Sequence, residues 1–111
     1  IPSSVTSIGH GPYAGCTSLE SIVVETGNTK YSNDEYGVMY DKEKSLLMQY
    51  PPGNPRSEFK IPSSVKTIGP NVFVGCILLK SVTIPSSVVI IEHAAFWGCS
   101  SLENIEIPNS I

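Results

Sequence analysis

The sequence predicts a β-rich solenoid, α/β by class, with a parallel sheet on one face and short turns or 3-10 segments on the other. Three observations carry that reading. A phrase of 23 residues recurs in phase, from Ile61 to Ile84 and again from Ile84 to Ile107. The opening residues repeat it as Ile1-Pro2-Ser3-Ser4-Val5, Ile8, Tyr13, Gly15-Cys16, Leu19, Ile22 and Val24. Each copy also ends in an alternating stretch, such as Leu79-x-x-Val82-x-Ile84, the pattern of a short strand with one buried face. A fixed period of this size belongs to stacked coils that bury their apolar faces only against each other.

Within a copy the elements follow in order. After the strand, Pro85 ends the hydrogen-bond ladder and Ser86-Ser87 opens a turn. Val88 and Ile91 carry the chain back along the far side. A turn holding Phe96 comes next, and Gly98 closes it where a positive φ is cheap. In this copy Glu92-His93-Ala94-Ala95-Phe96 contains good helix formers and is expected to be helical. Gly9, Gly11 and Pro12 exclude a helix from the same place in the first copy.

Residues 24–61 form the odd unit, fourteen residues longer than the repeat. Gly37-Val38-Met39-Tyr40 and Ser45-Leu46-Leu47-Met48-Gln49-Tyr50 flank the charged Asp41-Lys42-Glu43-Lys44, which predicts a β-hairpin over residues 37–50. The simplest account grafts this hairpin onto the outer part of an ordinary coil, so that removing it leaves a folded array. Phe59 and Ile61 stay in phase with Val82 and Ile84, and Pro51-Pro52-Gly53-Asn54-Pro55 makes a stiff, extended way back. The expected single domain is therefore coils 1–24, 25–61 with hairpin insert 37–50, 61–84 and 84–107, then a partial coil 107–111. Leu19, Phe59, Leu79 and Leu102, with Ile22, Val82 and Ile105, are expected to line one continuous core.

Composition narrows the function classes. The 111 residues are 41% hydrophobic with net charge −3. Seven scattered Lys and Arg give no basic groove of the kind that displaces phosphate counterions, so nucleic acid is disfavoured as a partner. No apolar run approaches the roughly 20 residues that span a bilayer, so no membrane insertion is expected. The sequence opens inside one repeat and stops at Ile111, in phase with Val88, and reads as cut from a longer array.

The phrase Leu-x-x-Ile-x-Ile-Pro-x-x-Val-x-x-Ile, with Phe-x-Gly-Cys before the next Leu, resembles the leucine-rich repeats of BspA-like bacterial and protist surface proteins. The odd unit is similar to one those proteins carry, here written Gly37-Val38-Met39-Tyr40 and Tyr50-Pro51-Pro52. The general leucine-rich pattern places Asn or Cys eight positions after the first Leu, whereas Ser87 and Ser110 stand there. The usual Asn ladder is thus expected to be missing. The resemblance implies a leucine-rich-repeat solenoid, an extracellular or cell-surface location, and adhesion to host extracellular-matrix or cell-surface proteins or to another cell's surface. It implies no catalytic residue and no cofactor.

Several residues invite sharper readings. Cys16, Cys76 and Cys99 share one phase and read as a column of buried thiols, with a Cys76–Cys99 bridge as the alternative. A column spreads ligands one per coil, which disfavours a metal site. His10 and His93 lie coils apart and read as exposed spectators. Asn33-Asp34-Glu35 and Asp41 lack calcium-loop spacing and read as a solvated loop. Trp97 replaces Ala14 and Val74 of the other copies, either as cover for a neighbouring turn or as a contact residue. Tyr31, Tyr36, Tyr40 and Tyr50 either pack the hairpin or form a recognition knob, with Tyr36 and Tyr40 as secondary contact candidates.

The outward strand positions give the main candidate surface. Phase places Val23, Lys60, Thr83 and Glu106 in one row across successive strands, and Ser21, Glu58, Ser81 and Asn104 in a second. Glu20, Ser57, Lys80 and Glu103 make a third. The expected function is non-catalytic protein recognition through this face. A stiff spacer that displays other domains is the alternative, and no nucleophile–base or carboxylate pair supports an enzyme.

Overall fold

The computed structural model describes all 111 residues. Eight short strands make two sheets, and no segment is helical. The strands are β1 (Tyr31–Asn33), β2 (Met39–Asp41), β3 (Leu46–Gln49), β4 (Glu58–Lys60), β5 (Thr67–Ile68), β6 (Ser81–Thr83), β7 (Ile90–Ile91) and β8 (Asn104–Glu106). The front sheet is β4-β6-β8, parallel throughout. Its register, Phe59↔Val82↔Ile105, is the repeat period written as hydrogen bonds. The back sheet runs β1-β2-β3-β5-β7.

The turns repeat as faithfully as the strands. Pro has no N–H for the ladder, and its carbonyl instead accepts the amide three residues on. That bond recurs as Val5 to Pro2, Val65 to Pro62, Val88 to Pro85 and Ile111 to Pro108, at 3.1–3.3 Å. At the opposite corner Gly15, Gly75 and Gly98 hold φ of 78°, 77° and 77°. They also stack: a Cβ on Gly75 would stand 3.2 Å from the Gly15 Cα. Both the backbone angle and the close approach therefore demand glycine here. The helix expected at Glu92–Phe96 is absent. The segment is a run of turns in which Ala94 takes φ 55°, a left-handed value that interrupts any helix.

The hairpin is present, with β2 and β3 antiparallel, but it is not grafted onto the outside. β3 pairs in parallel with β5, just as β5 pairs with β7, so Leu47, Ile68 and Ile91 form one row. The hairpin thus supplies this unit's share of the back sheet. Its two faces are both covered. Val38, Tyr40 and Leu47 belong to a core of sixteen buried residues, while Met39 joins Ile22, Val24 and Tyr31 in a separate cluster of four, with Met48 packed against it. The expected continuous core is therefore divided, with the hairpin as the wall between its parts. A hairpin holding Tyr40 and Leu47 at 0% exposure cannot be removed harmlessly.

The odd unit is also wedge-shaped. At the glycine corner the first coil meets the coil of residues 61–84 directly, with the Gly15 amide donating to the Val74 carbonyl at 3.3 Å. Next to it, Gln49 splices across the missing backbone. Its Oε1 accepts from the Tyr13 amide, and its Nε2 donates to the carbonyls of Tyr50 and Val72. On the front, by contrast, the Ile22 amide donates to the Gly37 carbonyl and the Val24 amide to Asn33 Oδ1. Residues 20–24 form no strand and share no backbone hydrogen bond with β4.

Candidate functional site

The front sheet presents its outward residues as the alternation dictates. Phe59 and Val82 are buried and Ile105 is half-buried, while Lys60, Thr83 and Glu106 stand exposed in one row. Glu58, Ser81 and Asn104 form the second row. Ser57, Lys80 and Glu103 form the third, the Lys80 amide donating a hydrogen bond to the Ser57 carbonyl and the Glu103 amide to the Lys80 carbonyl, each 2.7 Å. A shallow groove runs between β6 and β8, lined by residues 81–84 and 103–106.

The rows stop at β4. Glu20, Ser21 and Val23 are exposed, Val23 by 68%, but they lie outside the sheet because the segment 33–37 has taken the place beside them. Gly37 makes that approach possible: a Cβ there would fall against the Ser21 backbone. The phase of the repeat places these residues beside Ser57, Glu58 and Lys60 respectively and cannot register the wedge.

The tyrosines divide. Tyr31, Tyr40 and Tyr50 are buried, so Tyr40 is no contact residue; it packs the hairpin. Its hydroxyl donates to Asp34 Oδ2 at 2.8 Å, and burial, then Asp34, raises its pKa far above the ordinary value. Tyr50 sits between Phe59 and Phe73, with ring centroids 5.1 and 5.3 Å away. Tyr36 alone of the four is exposed, and the Arg56 guanidinium lies 4.0 Å over its ring. Trp97 is 71% exposed at the glycine corner.

The acidic loop residues serve the chain itself. Asp34 Oδ1 accepts from the amides of Tyr36 and Val38. Asp41 accepts from the Ser45 amide and hydroxyl and from the Leu46 amide, fixing the β2–β3 turn. These are Asx-type caps, each carboxylate accepting three hydrogen bonds from its own loop. His10 is exposed and lines an apolar pocket of about 220 Å³ with Ile8, Tyr31, Leu46 and Met48, where the first coil meets the hairpin. His93 is exposed elsewhere, on the turn before Phe96.

The thiols are free but do not form an evenly buried column. Cys76 is buried, Cys99 half-buried and Cys16 exposed. The Cys99 thiol donates to the Phe73 carbonyl at 3.1 Å, and Cys76 points at the Tyr50 carbonyl at 3.9 Å. Each thus reaches back to the element before it, a thin substitute for an Asn ladder. Cys16 has no such partner and stays in solvent. Burial raises the pKa of Cys76 and Cys99, so neither is poised as a nucleophile.

Gln49 and Asn54 escape the repeat pattern because each occurs once. Asn54, 6% exposed, donates through Nδ2 to the carbonyls of Glu20 and Tyr36, at 3.1 and 3.0 Å. Its Oδ1 accepts from the Arg56 amide. It pins the first coil, the 33–37 segment and the approach to β4 together. Its signal in the sequence is a lone amide among prolines, which reads as a turn.

These features define a leucine-rich-repeat solenoid with a polar strand face. The chain belongs to the BspA-type leucine-rich repeat family, whose model matches residues 1–37 and 54–111 in six copies. The unmatched gap holds β2, β3 and their turn. No curated protein matches the chain significantly. Three solved bacterial structures resemble it. One is a leucine-rich repeat protein from Eubacterium ventriosum, 40% identical over 88% of the chain with a TM-score of 0.85. The pneumococcal vaccine antigen PcpA is 30% identical over 100% of it with a TM-score of 0.95. A leucine-rich cell surface protein from Faecalibacterium prausnitzii is 30% identical over 100% with a TM-score of 0.78. The chain spans 26%, 27% and 35% of those chains respectively.

Proposed function

We propose that this segment is a non-catalytic recognition module of a cell-surface or secreted protein, and that it binds a protein partner through the front sheet. The observation that carries the reading is the division of labour along β4, β6 and β8. Their inward residues pack into the core, and their outward residues are polar and, apart from the half-buried Ser81, exposed. Relatives described as a vaccine antigen and a cell surface protein support an extracellular setting. The front sheet mixes Lys60 and Lys80 with Glu58, Glu103 and Glu106, so the match to a partner is local instead of a long-range field.

The test is capture of extracellular-matrix and cell-surface proteins by the parent protein and by Lys60→Glu and Lys80→Glu. Reversal is expected to weaken capture and leave the melting temperature unchanged. Equal capture by all variants, or no capture by the parent across a broad panel, favours the spacer role instead.

A further inference from the structure

The hairpin has an outer face that the first coil covers only in part. Ile8 and Met48 pack there against the cluster of Ile22, Val24, Tyr31 and Met39. Leu46, two residues before Met48 and on the same face by alternation, belongs to neither core and stays half-buried. Where the cover ends, the half-open pocket of about 220 Å³ begins. Gly11 and Pro70, both in its lining, meet so closely that a Cβ on Gly11 would stand 3.4 Å from the Pro70 carbonyl oxygen. Gly69 keeps space free. Its equivalent one period on is Glu92, and a Cβ at Gly69 would start 3.6 Å from a Leu46 methyl.

The walls are apolar, from Ile8, Leu46, Met48 and Pro70, and three polar side chains share the lining. The Tyr31 hydroxyl has no partner in the chain, yet it is not sealed from solvent although the residue is only 9% exposed. The pocket is the opening that Tyr31 lines. Asp41 accepts three hydrogen bonds from Ser45 and Leu46, which leaves one of the roughly four acceptor sites of a carboxylate free. It is the one carboxylate of the lining, and no Lys or Arg joins it; the third polar group is the exposed His10.

The nearby cations face elsewhere. Lys30 and Lys42 adjoin the pair Tyr31 and Asp41, and Lys66 precedes Thr67, the partner of Leu46, so alternation turns all three to the opposite side of the sheet. Lys44 lies over the ring of Tyr40, 5.9 Å from its centroid. Glu92, in row with Gly69, and Glu43, in the β2–β3 turn, add negative charge around the site. A cavity of about 150 Å³ holds benzene, and drug-sized ligands need roughly 300 Å³ or more. Volume therefore selects one small ring system. The walls favour an uncharged one, and the free acceptors favour a ring that carries a donor.

We propose that this pocket binds one uncharged bicyclic aromatic group with an N–H donor, an indole in size and chemistry. The ring lies against Leu46 and the thioether of Met48, and its N–H is donated to the acceptors at Asp41 and Tyr31. The site is on the outer face of the back sheet and is independent of the front-sheet reading.

The test titrates the protein with indole, benzofuran and indolecarboxylate, followed by two-dimensional proton–carbon NMR. Benzofuran keeps the shape of indole and lacks the donor. The expected result is saturable movement of the Ile8, Leu46 and Met48 methyl signals with indole. Binding should weaken about tenfold for benzofuran and further for the carboxylate, which meets Asp41. Leu46→Trp, which fills the pocket from its own lining, should abolish binding with the melting temperature preserved. The three ligands on the unaltered protein decide the matter if that variant is destabilised. N-acetyltryptophanamide separates the sources of the group. The same shifts with this compound support the site and assign it a Trp side chain of a protein partner, whereas binding of indole alone supports it with a free small molecule as ligand. No methyl movement up to the solubility limit of indole overturns the proposal. So does equal affinity for indole and either of the other two rings. Movement as large at the exposed Ile77 and Leu78 marks adsorption to apolar surface and overturns the site as well.

Discussion

Residues 61–107 and residues 24–61 solve the same problem by different means. In the regular coils core positions recur one period apart, and Phe73 stacks on its own equivalent Phe96 with centroids 4.8 Å apart and rings nearly parallel at 6°. Backbone pairs with backbone, and the register follows the period. In the odd unit the equivalents are missing and substitutes fill in. Gln49 stands in for a peptide group at the glycine corner, Asn33 and Gly37 for a strand on the front, and β3 for a return strand on the back. A solenoid thus accommodates an irregular coil by meeting the orphaned donors and acceptors with side chains and with backbone from elsewhere in the chain.

The largest expected effect comes from deleting residues 37–50. If the hairpin were an appendage, a protein with uniform spacing would melt much as the parent does. Because the hairpin walls two cores, the deletion should abolish cooperative unfolding, as circular dichroism on heating would show. Next comes Leu79→Ala, which empties a site at 1% exposure and should cost about 2–5 kcal/mol in urea denaturation. Leu102→Ala, at the half-buried equivalent, should cost clearly less. Alkaline conditions probe both regions at once. Tyr40 and Tyr50 in the odd unit, with Cys76 and Cys99 in the regular coils, all have raised pKa values in the fold. The unfolded chain ionises first, so stability is full below the ordinary values of 9.0 for Cys and 10.0 for Tyr and is lost above them. Each well-buried group should remove up to about 1.4 kcal/mol per pH unit. Cys76→Ala should delay the onset of that decline. The smallest effect separates two substitutions at one site: Cys76→Ser should be less stable than Cys76→Ala by about 1 kcal/mol, since a hydroxyl among apolar neighbours is costly to bury.

The regular half is legible because it says everything twice. Pro62 and Pro85, Gly75 and Gly98, Val82 and Ile105 appear at one spacing and take one conformation. Phase alone therefore gives the strands, the turns and the rows Lys60–Thr83–Glu106 and Ser81–Asn104. The odd unit speaks only once. Its hairpin is visible from two apolar runs around a charged turn, but its position is not. A signal for that position does exist. Val38-Met39-Tyr40 and Leu46-Leu47-Met48 are unbroken apolar runs, the mark of strands covered on both faces, whereas a hairpin lying on a surface would alternate. The helix expected at Glu92–Phe96 fails for another reason. Propensity favours it, but the tight corner that stacks Gly98 on Gly75 fixes the backbone there, and packing overrides propensity. Glu20, Ser21 and Val23 fall beside Ser57, Glu58 and Lys60 by phase, and no local pattern reveals that residues 33–37 intervene.

Native-state hydrogen exchange tests most directly the claim that the hairpin is a structural wall. If it is, the amides of Leu47 and Gly69, which lie in the ladders joining the hairpin to the back sheet, should exchange as slowly as the amide of Val82 in the front sheet, all opening in the same global event. Exchange at Leu47 that is orders of magnitude faster, through an opening that leaves Val82 protected, would contradict the account and return the hairpin to the status of an appendage.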